Sequence, residues 1–131
     1  MTERTASCSC GQLAAIVVGD PIGVSVCHCL ARQRRTGSAF GGQARFAKQS
    51  VKSEGKATQY VRIGDEGSKI AFSFYPVCGS TVHYAIDGMQ DAVVIPIGAF
   101  AEPDFSAPTF SVYQERKHSW VTLPENIETM A

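Results

Sequence analysis

A chain of 131 residues with 12 basic and 12 acidic side chains, 44% hydrophobic and 18% charged, has the length of one domain. It carries too few charges for a disordered tail or a coiled coil. The formal net charge of zero argues against a protein that tracks nucleic-acid phosphates, which would carry a basic surplus.

In chain order the signal is mostly strand. Gln12 to Val18 reads as extended chain, and Gly19-Asp20-Pro21 turns it into a second extended run, Gly23 to Cys27. Leu30 to Arg35 reads as a short helix that Gly37 stops, and Gly41-Gly42 as a turn or, second, a close backbone approach to ligand. Further strands are expected at Gln59–Ile63, Lys69–Phe74, Thr81–Ile86, Ala92–Ile97 and Thr109–Tyr113. Hairpin turns are expected at 64–67 and at Asp87-Gly88. Phe72, Phe74, Tyr84, Phe110 and Tyr113 fall at strand period and read as core or sheet-face residues. The expected architecture is a single, mainly antiparallel β domain spanning 1–131, with its core at about 5–122.

The longest apolar stretches, such as 92–100, fall short of the ~20 residues of a spanning helix, so no membrane association is expected. Met1 to Thr5 leads into no signal-like apolar run, so the expected location is the cytoplasm, where thiols stay reduced. An odd number of cysteines there points away from a disulfide framework. Cys8 and Cys10 form one C-x-C pair, Cys27 and Cys29 a second, and Cys78 stands alone before Gly79. In extended chain, i and i+2 share a face, so each pair offers two thiolates to one ion. Glycine after Cys10 and Cys78 permits the sharp turn of a zinc knuckle. A buried cysteine acting as a small hydrophobe is the plainer alternative for Cys78.

These residues resemble the glutathione-dependent formaldehyde-activating enzymes, which share the Mss4-like β fold. The resemblance runs from Cys8-Ser9-Cys10-Gly11 to the region of Trp120, through Cys27 to Ser38 and Phe74 to Ser80. It implies a structural zinc held by Cys8, Cys10, position 75 and Cys78. It also implies a catalytic zinc held by Cys27, Cys29 and position 32. The implied activity joins formaldehyde to glutathione, as a carbon–sulfur lyase run in reverse.

Two positions depart from that pattern: Arg32 and Tyr75 stand where the family has cysteine. Arg32 is always protonated and repels Zn²⁺, so no stable zinc is expected at Cys27 and Cys29. Its guanidinium either donates to the thiolates or swings to solvent. His28, between them in extended chain, points the other way and is expected at the rim of the old site. Cys8, Cys10 and Cys78 still offer three thiolates to zinc; alternatively the Tyr75 ring fills the space and packing holds the knuckles. His83 and His118 are expected to be ordinary polar residues.

The implied site residues are therefore Cys27, Cys29 and Arg32 for catalysis and Cys8, Cys10 and Cys78 for metal. Arg34, Arg35 and Ser38 would bind the carboxylates of an anionic thiol such as glutathione, unless the arginines are simply a solvated helix face. Two functions remain open: a lyase acting on glutathione–aldehyde adducts with an impaired zinc site, or a non-catalytic module binding a small thiol or a protein. Unpaired edge strands leave an oligomer open.

Overall fold

The computed structural model describes residues 2–65 and 67–130. Among these residues eleven strands form two sheets, joined by one α-helix and three short 3-10 turns. Strands β1 (Glu3–Ser7), β2 (Ala14–Val18) and β5 (Val51–Glu54) form an antiparallel three-stranded sheet. The eight-stranded sheet runs β11-β10-β3-β4-β9-β8-β7-β6. Its members are β3 (Gly23–Cys27), β4 (Gly41–Ala47), β6 (Thr58–Ile63), β7 (Lys69–Phe74), β8 (Thr81–Ile86), β9 (Ala92–Pro96), β10 (Phe110–Val112) and β11 (Glu128–Thr129). The sheet is antiparallel except that β10 lies parallel to both β3 and β11.

The fold is mainly β, as the alternation predicts, and β3, β7 and β8 have the expected ends. Gly41-Gly42 is a correction. It is not a turn but the start of β4, and a Cβ at Gly41 would collide with Cγ and Cδ of Arg32. The chain reaches its turn earlier, at the end of helix α1 (Leu30–Thr36), where Gly37 takes a left-handed φ of 72°. β9 ends one residue early because Ile97 enters a short 3-10 turn. Asp87-Gly88 does turn β8 back, with the Met89 amide donating to the Ile86 carbonyl. In the turn at 64–67, the Gly67 amide donates to the Gly64 carbonyl, and Glu66 lies outside the described residues.

The two faces of the large sheet have different fates. On one, Val24, Ala44, Phe46 and Ile95 pack with Ala6, Leu13, Ala15 and Val17 of the small sheet to form the principal core. On the other, Ile70, Phe72, Tyr84 and Val94 form a second cluster. Strand register places Cys27, Ser25, Gln43, Arg45 and Arg62 on this same second face. The register shift between Ser73 and Phe74 allows Val82 to join the first core while Tyr84, two residues on, faces the second. Helix α1 lies over this face and leaves it partly open.

Candidate functional site

Two constellations emerge from this frame. The first joins the β1–β2 and β7–β8 connections. Gly11 and Gly79 take φ values of 82° and 80°, a conformation open to glycine, and each turns the chain just after a cysteine. The sulfurs of Cys8, Cys10 and Cys78 all lie within 4.8 Å of one another. The Leu13 amide donates to Cys8 Sγ at 3.3 Å, and the Ser9 and Ser80 hydroxyls meet at 2.8 Å, latching one turn to the other. The amides of Ser80 and Cys10 pull the Cys78 thiol down to about 6. Tyr75 packs half-buried against the principal core beside Cys78.

The second constellation is a cleft of about 310 Å³ on the other face of the large sheet, lined by Cys27, Cys29, Arg32, Arg62, Asp65 and Glu115, among others. Cys27, last residue of β3, is buried; Cys29 caps α1 and is half-buried, its sulfur accepting the Arg32 amide at 3.4 Å. The Cys27 S–H donates to Cys29 Sγ, which with the Arg32 amide and the Arg32 and Arg62 charges overcomes burial and holds Cys29 down at about 5. Sharing that proton, and burial, push Cys27 strongly up. The two shifts run in opposite directions and favour the negative charge on Cys29 over Cys27.

Arg32 neither reaches solvent nor turns its guanidinium into a hydrogen bond with the thiolates. It is 7% exposed, and its Nη1 donates to Gln43 Oε1 and, at 2.9 Å, to Tyr84 Oη. Arg35 lies over the Phe72 ring at 4.8 Å and the Tyr84 ring at 5.5 Å, and Arg62 over Phe72 at 5.6 Å. Among the described residues none of these three guanidiniums is within ion-pair distance of a carboxylate; the ion pair present is Arg4–Glu102.

The basic run thus divides. Arg32 and Arg35 face the aromatic cluster, whereas Arg34 and Ser38 line a shallow recess with Gln33, His118 and Trp120. Arg62, thirty residues along the chain, is a cleft residue that sequence reasoning missed, as are Asp65, Glu115 and Arg116; the register of β6 on β7 carries Arg62 there. His28 points away from the thiols as expected but is not at a rim. It is fully buried, bonded through Nε2 to Ser111 Oγ at 2.9 Å, and burial followed by the Lys117 charge lowers its pKa. The Ser53 hydroxyl meets His83 at 3.1 Å, and His118 meets Gln33 at 2.9 Å.

Compared with known protein families, residues 3–116 match the glutathione-dependent formaldehyde-activating enzymes. This chain belongs to that family. Among solved structures it is similar to a Rhodobacter sphaeroides protein, with a TM-score of 0.55 over 97% of this chain and 99% of the other at 13% identity, a likeness of fold alone. No curated protein matches it.

The family implies zinc, and the two constellations fit it differently. Tetrahedral zinc with Zn–S near 2.3 Å sets its sulfurs about 3.8 Å apart. The Cys8 and Cys10 sulfurs are 3.8 Å apart, and Cys78 completes the triangle. The knuckle residues therefore fit the ion. The cleft does not: it offers two sulfurs that already share a proton, with a permanently charged guanidinium where a third thiolate would stand.

Proposed function

We propose that the chain, acting as one cytoplasmic domain, binds glutathione or a related small anionic thiol in the Cys27–Cys29 cleft and acts there on its aldehyde adducts as a carbon–sulfur lyase. The observation that carries this reading is the pair of guanidiniums from Arg32 and Arg62 beside a depressed thiol at Cys29, neither of them within ion-pair distance of a carboxylate among the described residues, with Arg35 stacked on the aromatic cluster behind. Positive charge fixed in a partly dry cleft is suited to a substrate that becomes a thiolate.

In the lyase direction, Cys29 Sγ takes the proton of the adduct hydroxyl. The O–H electron pair becomes the carbonyl π bond, the C–S pair leaves on sulfur, and the guanidiniums hold that thiolate until the proton returns to it. Addition of thiol to aldehyde is the same sequence reversed. Cys27 keeps the anion on Cys29 by donating its S–H. Arg34 and Ser38 lie outside this cleft, so their part is to meet an outer carboxylate of the tripeptide. Zinc bound by Cys8, Cys10 and Cys78 would tie two turns together and take no part in these steps.

Exchange spectroscopy of formaldehyde with glutathione tests the proposal. Acceleration by the wild type, lost by at least about 10²-fold in Cys29→Ser, is the expected result. A second reading, a binding module without turnover, is favoured by Arg32 alone, which stands where the family's catalytic metal is held. Saturable glutathione binding with no acceleration of exchange would establish it and overturn the lyase.

A further inference from the structure

Arg32 has two sides. One wall of its side chain faces the thiol cleft; the other closes a larger cavity of about 530 Å³ between β3, β4, β9 and the start of β10. We infer that this second cavity is a binding site for a small carboxylate with an apolar body, held by Arg32 and Arg45.

The floor of the cavity is polar. Arg32 is 93% buried, and its Nε has no hydrogen-bond partner. Its Nη1 bonds to Gln43 and Tyr84, and Gln43 Nε2 donates onward to Ser25 Oγ at 2.9 Å. Both hydroxyls of this network are used as acceptors: Tyr84 Oη receives from Arg32, and Ser25 Oγ receives from Gln43. A hydroxyl has one proton, so both O–H groups remain free to donate. Burial raises the Tyr84 pKa and so keeps the phenol protonated.

At the mouth, the Arg45 guanidinium folds back over β3, where a Cβ on Gly23 would come within 2.6 Å of Nη2. Among the described residues Arg45 has no carboxylate within ion-pair distance. The cavity thus presents two guanidiniums and two free hydroxyl protons. Neither Asp nor Glu is among its lining residues. With Thr109 as the other lining hydroxyl and no carboxylate, the lining is rich in donors and selects an anion, and the planar fork of arginine matches a carboxylate.

The rest of the lining excludes a bare inorganic ion. Ile22, Ile86, Met89, Val94 and Phe110 supply apolar wall, and the volume exceeds what a lone carboxylate fills several-fold. The occupant carries its charge at Arg32 and Arg45 and its chain or ring against Met89 and Phe110. The same carboxylate chemistry is present on the thiol tripeptide assigned above to the neighbouring cleft. The apolar walls favour a free amphipathic acid over that very polar molecule. This inference stands without the lyase reading, since no cysteine takes part in it.

Isothermal titration of the whole protein with octanoate is the direct test, with octylamine and n-octanol as probes of the same length. Saturable one-to-one binding of octanoate at least tenfold tighter than either control supports the site. Equal binding of all three, or none by octanoate, overturns it. Arg45 is exposed, so Arg45→Gln keeps the fold, and it is expected to weaken octanoate at least tenfold while Arg34→Gln leaves it unchanged. Ser25→Ala, which removes one donor, is expected to weaken it about threefold. Unlabelled glutathione added to the octanoate complex separates the two carboxylate sources. Retention of octanoate supports the free acid; competitive displacement overturns it in favour of the tripeptide's own carboxylate.

Discussion

Alkylation of Cys29 by iodoacetamide, followed residue by residue by mass spectrometry across pH, reads the electrostatics of the cleft directly. An ordinary thiol titrating at 9.0 is about 0.1% thiolate at pH 6, whereas Cys29, held at about 5, is about 90% thiolate there. That is an advantage of roughly 900-fold in reactive species, partly offset because nucleophilicity falls with basicity. With a Brønsted slope near 0.45, four pKa units cost about 60-fold in intrinsic rate. Cys29 should therefore react about 15-fold faster than a free cysteine peptide at pH 6 and about 30-fold slower at pH 9, the curves crossing near pH 7.

Facing Cys29 are Cys27 from β3, Arg32 from α1 and Arg62 from β6, with Asp65, Glu115 and Arg116 around the cleft. Arg62→Gln removes a facing charge and should raise the midpoint by about half to one unit. A Cys29 rate that keeps climbing about tenfold per unit up to pH 8.5, as an ordinary thiol's does, would refute the reasoning. The folded-state pKa of Cys29 is depressed, so its own thiolate contributes stability in full above the ordinary thiol pKa, where the raised pKa of Cys27 works against it. That contribution is lost as pH falls through about 5.

Other consequences are measurable in the same protein. Elemental analysis should find about one zinc per chain, absent in Cys78→Ser, and Arg32→Cys should bring the content to about two. Gly41→Val should displace the Arg32 side chain and cost about 1–3 kcal/mol in urea denaturation, while Gly98→Ala, in open space, should cost far less. Phe46→Ala, which empties a fully buried position under both sheets, should cost about 3–5 kcal/mol in the same assay.

What could be read from the sequence follows what is local. β3, β7 and β8 are interior strands of the large sheet whose apolar residues alternate in sequence, so their ends were legible, although the shift at Ser73/Phe74 was not. β1 and β5 are the edges of the small sheet, with polar residues such as Glu3, Lys52 and Glu54 that give no apolar period. β4 was hidden by its paired glycines, whose reason is tertiary: Gly41 leaves room for Arg32. The knuckle cysteines were legible because Cys10 and Cys78 each precede a glycine that turns the chain, with Cys8 two residues before Cys10. Arg32 was legible as an intrusion of charge, but its partners Gln43 and Tyr84 are 11 and 52 residues away. Such distances belong to sheet register, as does the arrival of Arg62.

Where relatives take up an ion, this cleft has a guanidinium built into the polypeptide. A chelator cannot strip that charge, a competing metal cannot exchange for it, and starvation for zinc leaves it in place. The positive charge that Arg32 brings to this cleft is part of the covalent chain and is set at translation, whatever the trace-metal supply of the cell. Arg32 is held by Gln43, Tyr84 and the open backbone of Gly41, so the same charge also ties the helix to the sheet beneath it.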